Sequence, residues 1–158
     1  ISDHAIQVWS RIMTGNPTAR LIIKDHTIDD PAVRQTLREK FGANGVAADR
    51  ITMLGSTARD VHLRTLQQID LCLDPFPQCG GVSTWEALYL GVPVVTKIGH
   101  TATSRLGGAI LSEYAQAKSA RNAKRPRQGG RWFDAVQVAT AARLYVRHAP
   151  RDREALAG

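Results

Sequence analysis

Two hydrophobic patterns alternate along residues 1–113 of the chain. In the first, apolar side chains recur every three or four residues, which predicts amphipathic helices. Spacing and end signals place these helices after Asp3, from Pro31 to Gly42, and over Ala58–Gln67, Ser83–Leu90 and Ser104–Leu111. In the second, short segments are almost continuously apolar, which is typical of strands buried in a parallel sheet. These segments are Arg20–Asp25, Arg50–Leu54, Leu71–Asp74 and Pro93–Thr96.

The regular alternation of helix and strand predicts the fold class α/β, with a doubly wound, Rossmann-like parallel sheet of about five strands. Ligands of such sheets bind beyond the carboxyl ends of the strands. The loops Gly55–Arg59 and Pro75–Val82 each follow a predicted strand, so both are expected at that edge of the sheet. The functional site is therefore expected at these two loops.

The second of these loops carries an anion-binding pattern. Gly80-Gly81 lets the backbone approach a ligand closely, and the next three residues, Val82, Ser83 and Thr84, open a helix. A helix N-terminus offers unpaired amides and the positive end of a dipole, so the expected ligand is a phosphate or diphosphate. Ser83 or Thr84 is expected to cap this helix and to donate to the phosphate, and capping alone is the alternative.

Three more residues are candidates for contacts with the rest of a nucleotide. Glu86 is either a dipole partner in the first helical turn or an acceptor for ribose hydroxyls. Arg59 starts a helix, where a positive charge opposes the dipole, and His62 follows in the same helix; a solvated side chain is the alternative for both. The chain has neither a GxGxxG nor a GxxxxGK[ST] pattern, which disfavours a dinucleotide oxidoreductase and a P-loop NTPase.

The composition fits one globular domain, with 158 residues of which 43% are hydrophobic and 22% charged. No apolar run approaches the roughly 20 residues of a membrane helix, so no membrane partner is expected. The chain begins with Ile1 and without a signal-peptide pattern, which suggests a fragment or a processed chain. Cys72 and Cys79 form no CxxC pair and no zinc motif, so reduced thiols in a cytoplasmic protein, without a metal, are expected.

The net charge of +7 lies entirely in residues 114–158. Residues 1–113 hold 11 basic and 11 acidic side chains, whereas residues 114–158 hold 10 and 3 and lack isoleucine. We therefore expect a boundary at Glu113, followed by a basic, Ala/Arg-rich segment that is a solvated extension or the product of a shifted reading frame. In the alternative, this segment binds nucleic acid and forms a helix over Ala135–Arg147. The residues of that alternative are Arg121, Lys124, Arg125, Arg127 and Arg131 for phosphates, and Trp132 and Phe133 for stacking on bases.

A long ordered set of motifs resembles a known family. The segments Asp70-Leu-Cys-Leu-Asp-Pro-Phe-Pro77, Gly80-Gly-Val-Ser-Thr-Trp-Glu-Ala-Leu88, Gly91-Val-Pro-Val-Val-Thr96 and Thr103-Ser-Arg105 are similar to the C-terminal part of the O-linked N-acetylglucosamine (O-GlcNAc) transferase family, notably its bacterial members with tetratricopeptide repeats. The resemblance runs from Ile1 to Glu113. It implies the C-terminal half of a GT-B glycosyltransferase, which transfers a sugar from a UDP donor to Ser or Thr of proteins, with inversion and without a metal.

The resemblance also implies roles for individual residues of a partial donor-binding domain over residues 1–113. Arg59 and His62 match the basic residue and the histidine that face the uridine, and Glu86 matches the acidic residue that binds the ribose. The turn Gly80-Gly-Val-Ser83 matches the segment that cradles the diphosphate, and Arg105 matches the arginine after the last strand. The partners implied are a UDP-sugar, with N-acetylglucosamine as the expected sugar, and a protein acceptor bound by N-terminal regions outside this chain.

The chain departs from the family pattern in two respects. Family members often carry His-Thr-Thr where this chain has Gly81-Val82-Ser83, which leaves more of the phosphate binding to backbone amides. The family's donor-binding lysine lies just ahead of the position matching Ile1, and the domain that supplies the proposed catalytic base lies further upstream. We therefore expect no catalytic residue in this chain and no activity from it in isolation. A non-catalytic sugar-nucleotide-binding remnant is the alternative.

Overall fold

The computed structural model describes residues 1–122 and 145–147, with side chains up to residue 117. In this part of the chain the helices are α1 (Asp3–Gly15), α2 (Pro31–Ala43), α3 (Arg59–Gln67), α4 (Val82–Tyr89) and α5 (Ala102–Asn122). The strands are β1 (Arg20–Lys24), β2 (Ile51–Leu54), β3 (Cys72–Leu73), β4 (Val94–Val95) and β5 (Tyr145–Arg147). Short 3-10 turns over His26–Asp29 and Ala48–Arg50 precede α2 and β2. The predicted alternation of helix and strand is confirmed from α1 to α5.

The strands form one sheet in the order β2-β1-β5-β3-β4. The strands β1 and β2 are parallel, with Leu21 opposite Ile51, and β3 and β4 are parallel, with Cys72 opposite Val94. The chain thus moves outward from β1 to β2 and then crosses the sheet to β3 and β4. Ligands of doubly wound sheets bind at the carboxyl edge where the direction reverses in this way.

The central strand β5 departs from the prediction of a wholly parallel sheet. It runs antiparallel to both neighbours, with Val146 opposite Leu21 and Tyr145 opposite Cys72. The helix expected over Ala135–Arg147 is therefore wrong at its end, and its first ten positions lie outside the described residues. The physical reason is that β1 and β3 each present a row of backbone polar groups at the centre of the sheet, and a third strand pairs with them.

Two apolar clusters place helices on opposite faces of the sheet. On one face, the side chains of α1 and α2, including Trp9 and Phe41, pack against Leu21, Ile23 and Leu73. On the other face, Leu66 of α3, Ile69 of the segment between α3 and β3, and Ala87 of α4 form a second cluster. This cluster packs against the strand residues Ile22, Cys72 and Val94. Leu21 and Ile23 of β1 thus belong to one cluster and Ile22, which lies between them, belongs to the other, as expected for a strand covered on both faces.

The helix ends agree with the sequence signals in part. Asp30 caps α2 by accepting from the Ala32 amide at 2.8 Å, with a proline at the first helical position as predicted. The predicted cap of α1 is wrong by one residue, because Ser2 accepts from the Ala5 amide at 3.2 Å and Asp3 lies within the first turn. The sequence also predicts that Val61 faces the sheet, which is wrong because its side chain is exposed, with an exposed fraction of 39%.

The last helix is longer than its sequence pattern predicts. Instead of ending at Leu111, α5 continues without a break through Glu113 and Tyr114 to Asn122. The change in charge at this point is therefore not marked by a change in the backbone. Whether the chain divides there into two units stays a prediction, because the described part of the chain beyond Asn122 is limited to β5.

Candidate functional site

Two charged side chains form hydrogen bonds with the backbone of the loop that follows β2. The Lys24 Nζ atom donates to the Gly55 carbonyl at 2.8 Å, and the Asp29 carboxylate accepts from the Ser56 amide at 3.0 Å. A Cβ atom on Gly55 would lie 1.6 Å from Asp29 Oδ1, so glycine is required for this approach. Hydrogen bonds from the side chain and the backbone of Ser56 lower the pKa of Asp29, which therefore stays ionised at neutral pH. The loop is thus fixed in place as it leads into α3.

Residues from α3 and α4 form one cluster at the carboxyl edge of the sheet. Arg59 Nη1 donates to Glu86 Oε1 at 2.6 Å, and Glu86 Oε2 lies 3.0 Å from His62 Nε2. The side chain of Glu86 is only 11% exposed, that of His62 is 22% exposed and that of Arg59 is 71% exposed. The structure therefore brings together the three residues that were expected to contact the nucleoside, with a shielded carboxylate between two nitrogen groups.

The position of Glu86 corrects one alternative for its role. It is the fifth residue of α4, and no acidic residue lies in the first turn of that helix. A carboxylate this far along the helix gains little from the helix dipole, whose effect is confined to the first turn. The observed partners of Glu86 are Arg59 and His62, which also accounts for a positive charge at the start of α3.

The turn between β3 and α4 folds back onto a buried carboxylate. Asp74 is 1% exposed; its Oδ1 accepts from the Gly80 amide at 2.6 Å and its Oδ2 accepts from the Thr96 hydroxyl at 2.9 Å. Cys79 lies beside this network, with its Sγ 3.7 Å from Thr96 Oγ1. Burial raises the pKa of the Cys79 thiol, so the thiol is neutral at physiological pH and is not an activated nucleophile. No disulfide joins Cys79 to Cys72 within the described residues.

The start of α4 differs from its predicted form. The cap residue is Gly81, and no side chain of the described residues caps the helix, so the expectation that Ser83 or Thr84 does so is wrong. The first intrahelical donors are the Thr84 and Trp85 amides, which share the Gly81 carbonyl. The amides of Gly81 and Val82 donate to no protein oxygen in the described part of the chain. Amides without an intrahelical partner at a helix start are the groups by which helices bind anions, so these two stay the candidates for that role.

Two of the predicted phosphate-binding residues do not face solvent. Gly80 is buried and its amide is already bound to Asp74, while the Thr84 side chain is 1% exposed in the core. A direct contact of either with a ligand does not fit these positions. Gly81 and Ser83 are half-buried, and Val82 is 72% exposed. The predicted phosphate cradle is thereby narrowed to Gly81, Val82 and Ser83.

The N-terminus of α5 adjoins the same turn, and sequence reasoning missed its contribution. The Thr101 amide donates to Ser104 Oγ at 3.0 Å, and the Cys79 amide donates to the Thr103 carbonyl at 3.3 Å. The side chain of Arg105 is exposed. Asp74 was missed as well, although an aspartate at the carboxyl end of a strand, directly before a turn, is a signal that points to this edge.

A small cavity lies at the carboxyl end of β1, lined by Ile1, Trp9, Ile23, Lys24, Asp25 and Pro75. It touches the turn before α4 at Pro75, but it includes none of Arg59, His62 or Glu86. Among the described residues, no group of three His, Cys, Asp or Glu side chains could hold a metal ion. Within the same residues, no helix is both long and apolar enough to cross a bilayer.

The candidate residues of the nucleic-acid alternative lie beyond the described side chains. The backbone of Arg121 belongs to α5, and the others, from Lys124 to Phe133, lie outside the described residues. That alternative therefore stays a prediction.

Comparisons with known proteins give one family and several relatives. A family model described as glycosyl transferase family 41 matches residues 1–122. A protein of Eustoma exaltatum subsp. russellianum, named probable UDP-N-acetylglucosamine–peptide N-acetylglucosaminyltransferase SPINDLY, is 32% identical over 113 residues, which cover 71% of this chain and 12% of the relative. The Arabidopsis thaliana protein of the same name is 30% identical over 114 residues, covering 72% of this chain and 12% of the relative.

A solved structure of a Thermobaculum terrenum O-GlcNAc transferase mutant superposes on this chain with a TM-score of 0.68 and 31% sequence identity. The match covers 75% of this chain and 23% of that structure's chain. The chain thus spans about an eighth of the length of the curated relatives it matches.

Proposed function

Because the chain belongs to glycosyl transferase family 41, we propose that it is the donor-binding part of an enzyme that transfers N-acetylglucosamine from UDP to Ser or Thr of a protein. The observation that carries this proposal is the cluster of Arg59, His62 and Glu86 beside the N-terminus of α4. A nucleoside diphosphate needs hydrogen-bond acceptors for its ribose and hydrogen-bond donors for its phosphates, a short distance apart. The cluster around Glu86 supplies the acceptor and the start of α4 supplies the donors.

The diphosphate is assigned to the start of α4. The amides of Gly81 and Val82 and the positive end of the helix dipole favour a doubly charged leaving group. Negative charge on the diphosphate grows as the bond to the sugar breaks, so fixed donors at this point stabilise the transition state more than the ground state. Val82 supplies no side-chain donor, so backbone amides carry most of this role.

The ribose and the base are assigned to the α3–α4 cluster. The Glu86 carboxylate accepts hydrogen bonds from ribose hydroxyls, and the 11% exposure of its side chain strengthens such bonds by keeping bulk water away. Arg59, as the most exposed member of the cluster, is the one that moves to admit the ligand. His62 stays against Glu86 and holds the carboxylate in place.

General base catalysis is assigned to the part of the enzyme outside this chain. The histidine–carboxylate pair that the described residues place in this cluster, His62 with Glu86, is assigned to the nucleoside and not to proton abstraction. We propose that transfer inverts the anomeric centre and proceeds without a metal, as the family resemblance implies. The chain in isolation is accordingly expected to bind nucleotide weakly and to transfer no sugar.

The test is a calorimetric titration of the chain with UDP, ADP and GDP, at concentrations high enough to detect millimolar binding. We expect UDP to bind about tenfold more tightly than the purine nucleotides, a difference of about 1.4 kcal/mol. Arg59→Ala is expected to weaken UDP binding, because the side chain that moves aside from Glu86 is the one that the family resemblance assigns to the uridine. The matched control is Arg64→Ala in the same helix, because Arg64 pairs with the exposed Asp60 at 2.7 Å and, among the described residues, with no other carboxylate.

Equal affinity for the three nucleotides would contradict a uridine-specific site. Sugar transfer by the purified chain of 158 residues would contradict the assignment of the catalytic base to another region. Salt-dependent binding to DNA, without selective binding of UDP, would favour the nucleic-acid alternative.

A further inference from the structure

The buried carboxylate of Asp74 connects three segments that meet under the proposed diphosphate site. Its own amide donates to the Val95 carbonyl at 2.9 Å, which fixes Asp74 at the end of β3 next to β4. Its two oxygens accept from the Gly80 amide at 2.6 Å and from the Thr96 hydroxyl at 2.9 Å. One side chain thus joins the ends of both strands to the residue that precedes the cap of α4.

The bond to Gly80 decides which amides of the turn have a protein acceptor. Because the Gly80 N–H points into the protein toward Asp74, it is not offered to a ligand. The next residue, Gly81, caps α4, and the amides of Gly81 and Val82 are the ones without a protein acceptor in the described part of the chain. The carboxylate therefore fixes a turn in which the Gly80 amide has a protein acceptor and the two amides that follow it have none in the described part of the chain.

We propose that Asp74 is a positioning residue for the diphosphate, which acts by holding the Gly80 amide and thereby orienting the first amides of α4. The inference rests on the proposed function. Asp74 does not touch the ligand. Its contribution is the geometry of its hydrogen bonds, so a neutral side chain of the same shape is expected to serve equally well.

The packing around Asp74 supports a role that depends on exact placement of its oxygens. A Cβ atom on Gly107 of α5 would lie 2.3 Å from Asp74 Oδ2 and 2.5 Å from Thr96 Oγ1, so only glycine fits there. The Thr96 side chain is 7% exposed, and its hydroxyl has the Asp74 carboxylate as acceptor. The carboxylate is thus confined by α5 on one side and oriented by a buried hydroxyl on the other.

The experiment compares uridine with UDP, because the ratio of their dissociation constants isolates the diphosphate. It uses the chain as it is, with Asp74→Ala, Asp74→Asn and Thr96→Val. For the wild type we expect UDP to bind about tenfold or more tightly than uridine. In Asp74→Ala the ratio is expected to fall to about threefold or less with uridine affinity retained, because only the amides of the turn lose their orientation.

In Asp74→Asn the ratio is expected to stay within about a factor of two of the wild type, since the amide oxygen still accepts from Gly80 and the amide nitrogen reaches Thr96. Thr96→Val, which keeps the shape of Thr96 and releases Asp74 Oδ2, is expected to lower the ratio by about threefold. Hydrogen exchange at the Gly80 amide provides a readout without ligand, with faster exchange expected in Asp74→Ala and near wild-type exchange in Asp74→Asn.

Two results would show that Asp74 does not position the diphosphate. An unchanged ratio in a folded Asp74→Ala overturns the positioning role, and so does an equal loss of uridine and UDP affinity, which marks a general structural defect. If Asp74→Ala does not fold, an unchanged ratio in Thr96→Val overturns it. If the wild type binds neither uridine nor UDP, the proposed function itself fails and the inference fails with it.

Discussion

His62 on α3 and Glu86 on α4 lie 3.0 Å apart between Nε2 and Oε2, although 24 residues separate them in the chain. Their helices follow different strands, so this contact joins the two loops at the carboxyl edge of the sheet into one surface. The pair is shielded, with exposed side-chain fractions of 22% and 11%. This contact brings the candidate residues of both helices to one place at the carboxyl edge of the sheet.

Glu86→Gln tests the carboxylate directly. It keeps the shape of the side chain and removes the charge that faces Arg59 and His62. We expect the dissociation constant for UDP to rise about tenfold, equivalent to about 1.4 kcal/mol. Calorimetry measures this change. The control is Asp60→Asn, because the Asp60 and Arg64 side chains are 63% and 62% exposed and an exposed pair contributes little.

A comparison of UDP with 2′-deoxy-UDP separates a ribose contact from an indirect effect on the helices. The wild type is expected to prefer UDP, and Glu86→Gln is expected to lose most of that preference. A variant that binds both nucleotides more weakly but keeps the full preference would show that Glu86 does not contact the ribose.

The alternation of apolar runs and helical spacing was enough to predict four of the strands and the order of the elements, and the family match over residues 1–122 confirms the O-GlcNAc transferase resemblance. These features follow from local hydrophobic periodicity, which one sequence displays. The cap of α4 could not be predicted in this way. Its hydroxyl residues suggest a local side-chain cap, whereas the turn is fixed by Asp74 through tertiary hydrogen bonds.

The strand β5 illustrates the same limit. The spacing of Val138, Ala142 and Tyr145 is helical, but pairing with β1 and β3 places Tyr145–Arg147 in a strand. A distant pairing partner leaves no mark in the local pattern, so tertiary context overrides the periodicity. The cluster of Arg59, His62 and Glu86, in contrast, was predicted by its motif positions, because both of its loops follow strands of one sheet.

Val146→Pro tests whether β5 pairs as described. Proline lacks the amide hydrogen and is not tolerated in a central strand, so we expect a melting temperature lower by several degrees and faster amide exchange in β1 and β3. Val146→Thr retains the amide and the β-branched shape and serves as the control. An equal melting temperature for the proline variant and the wild type would contradict the pairing.

Gly55→Ala tests the support of the loop after β2. The added Cβ atom would lie 1.6 Å from Asp29 Oδ1, so Asp29 must leave the Ser56 amide. We expect a lower urea midpoint and weaker binding of UDP.

The matched control for this loop variant is Gly42→Ala. Gly42 lies in α2 with open space within 4 Å of an added Cβ atom, so alanine is expected to raise the stability by about 0.5–1 kcal/mol. If Gly55→Ala is as stable as the wild type, Asp29 does not need its observed position.

Val82→Thr tests which side chains of the α4 start meet the phosphate. Val82 is the first residue of α4 and is 72% exposed, so the change costs no burial and adds a hydroxyl donor of the same shape. We expect UDP to bind about three- to tenfold more tightly, the gain of one additional hydrogen bond, while uridine affinity is unchanged. Val82→Ala, which adds no donor, should show no gain, and the absence of a gain in Val82→Thr would place the phosphate elsewhere.

The lowered pKa of Asp29 predicts how the loop responds to acid. Hydrogen bonds from the side chain and backbone of Ser56 favour the ionised carboxylate in the folded state, so the folded pKa of Asp29 lies below the ordinary aspartate value of 3.8. A depressed folded pKa contributes stability that is fully present above the unfolded pKa and is lost as the pH falls through the folded pKa.

Asp29→Asn is therefore expected to have a lower urea midpoint than the wild type at pH 6, and the difference should shrink once the pH falls below 3.8. Ser56→Ala removes the side-chain donor, which is the largest cause of the shift, and should reduce the same difference. Because Asp29 is exposed, the effect will be small, and several pH values have to be measured on all three proteins. A difference between wild type and Asp29→Asn that is the same at pH 6 and in strong acid would show that the charge of Asp29 does not support the loop.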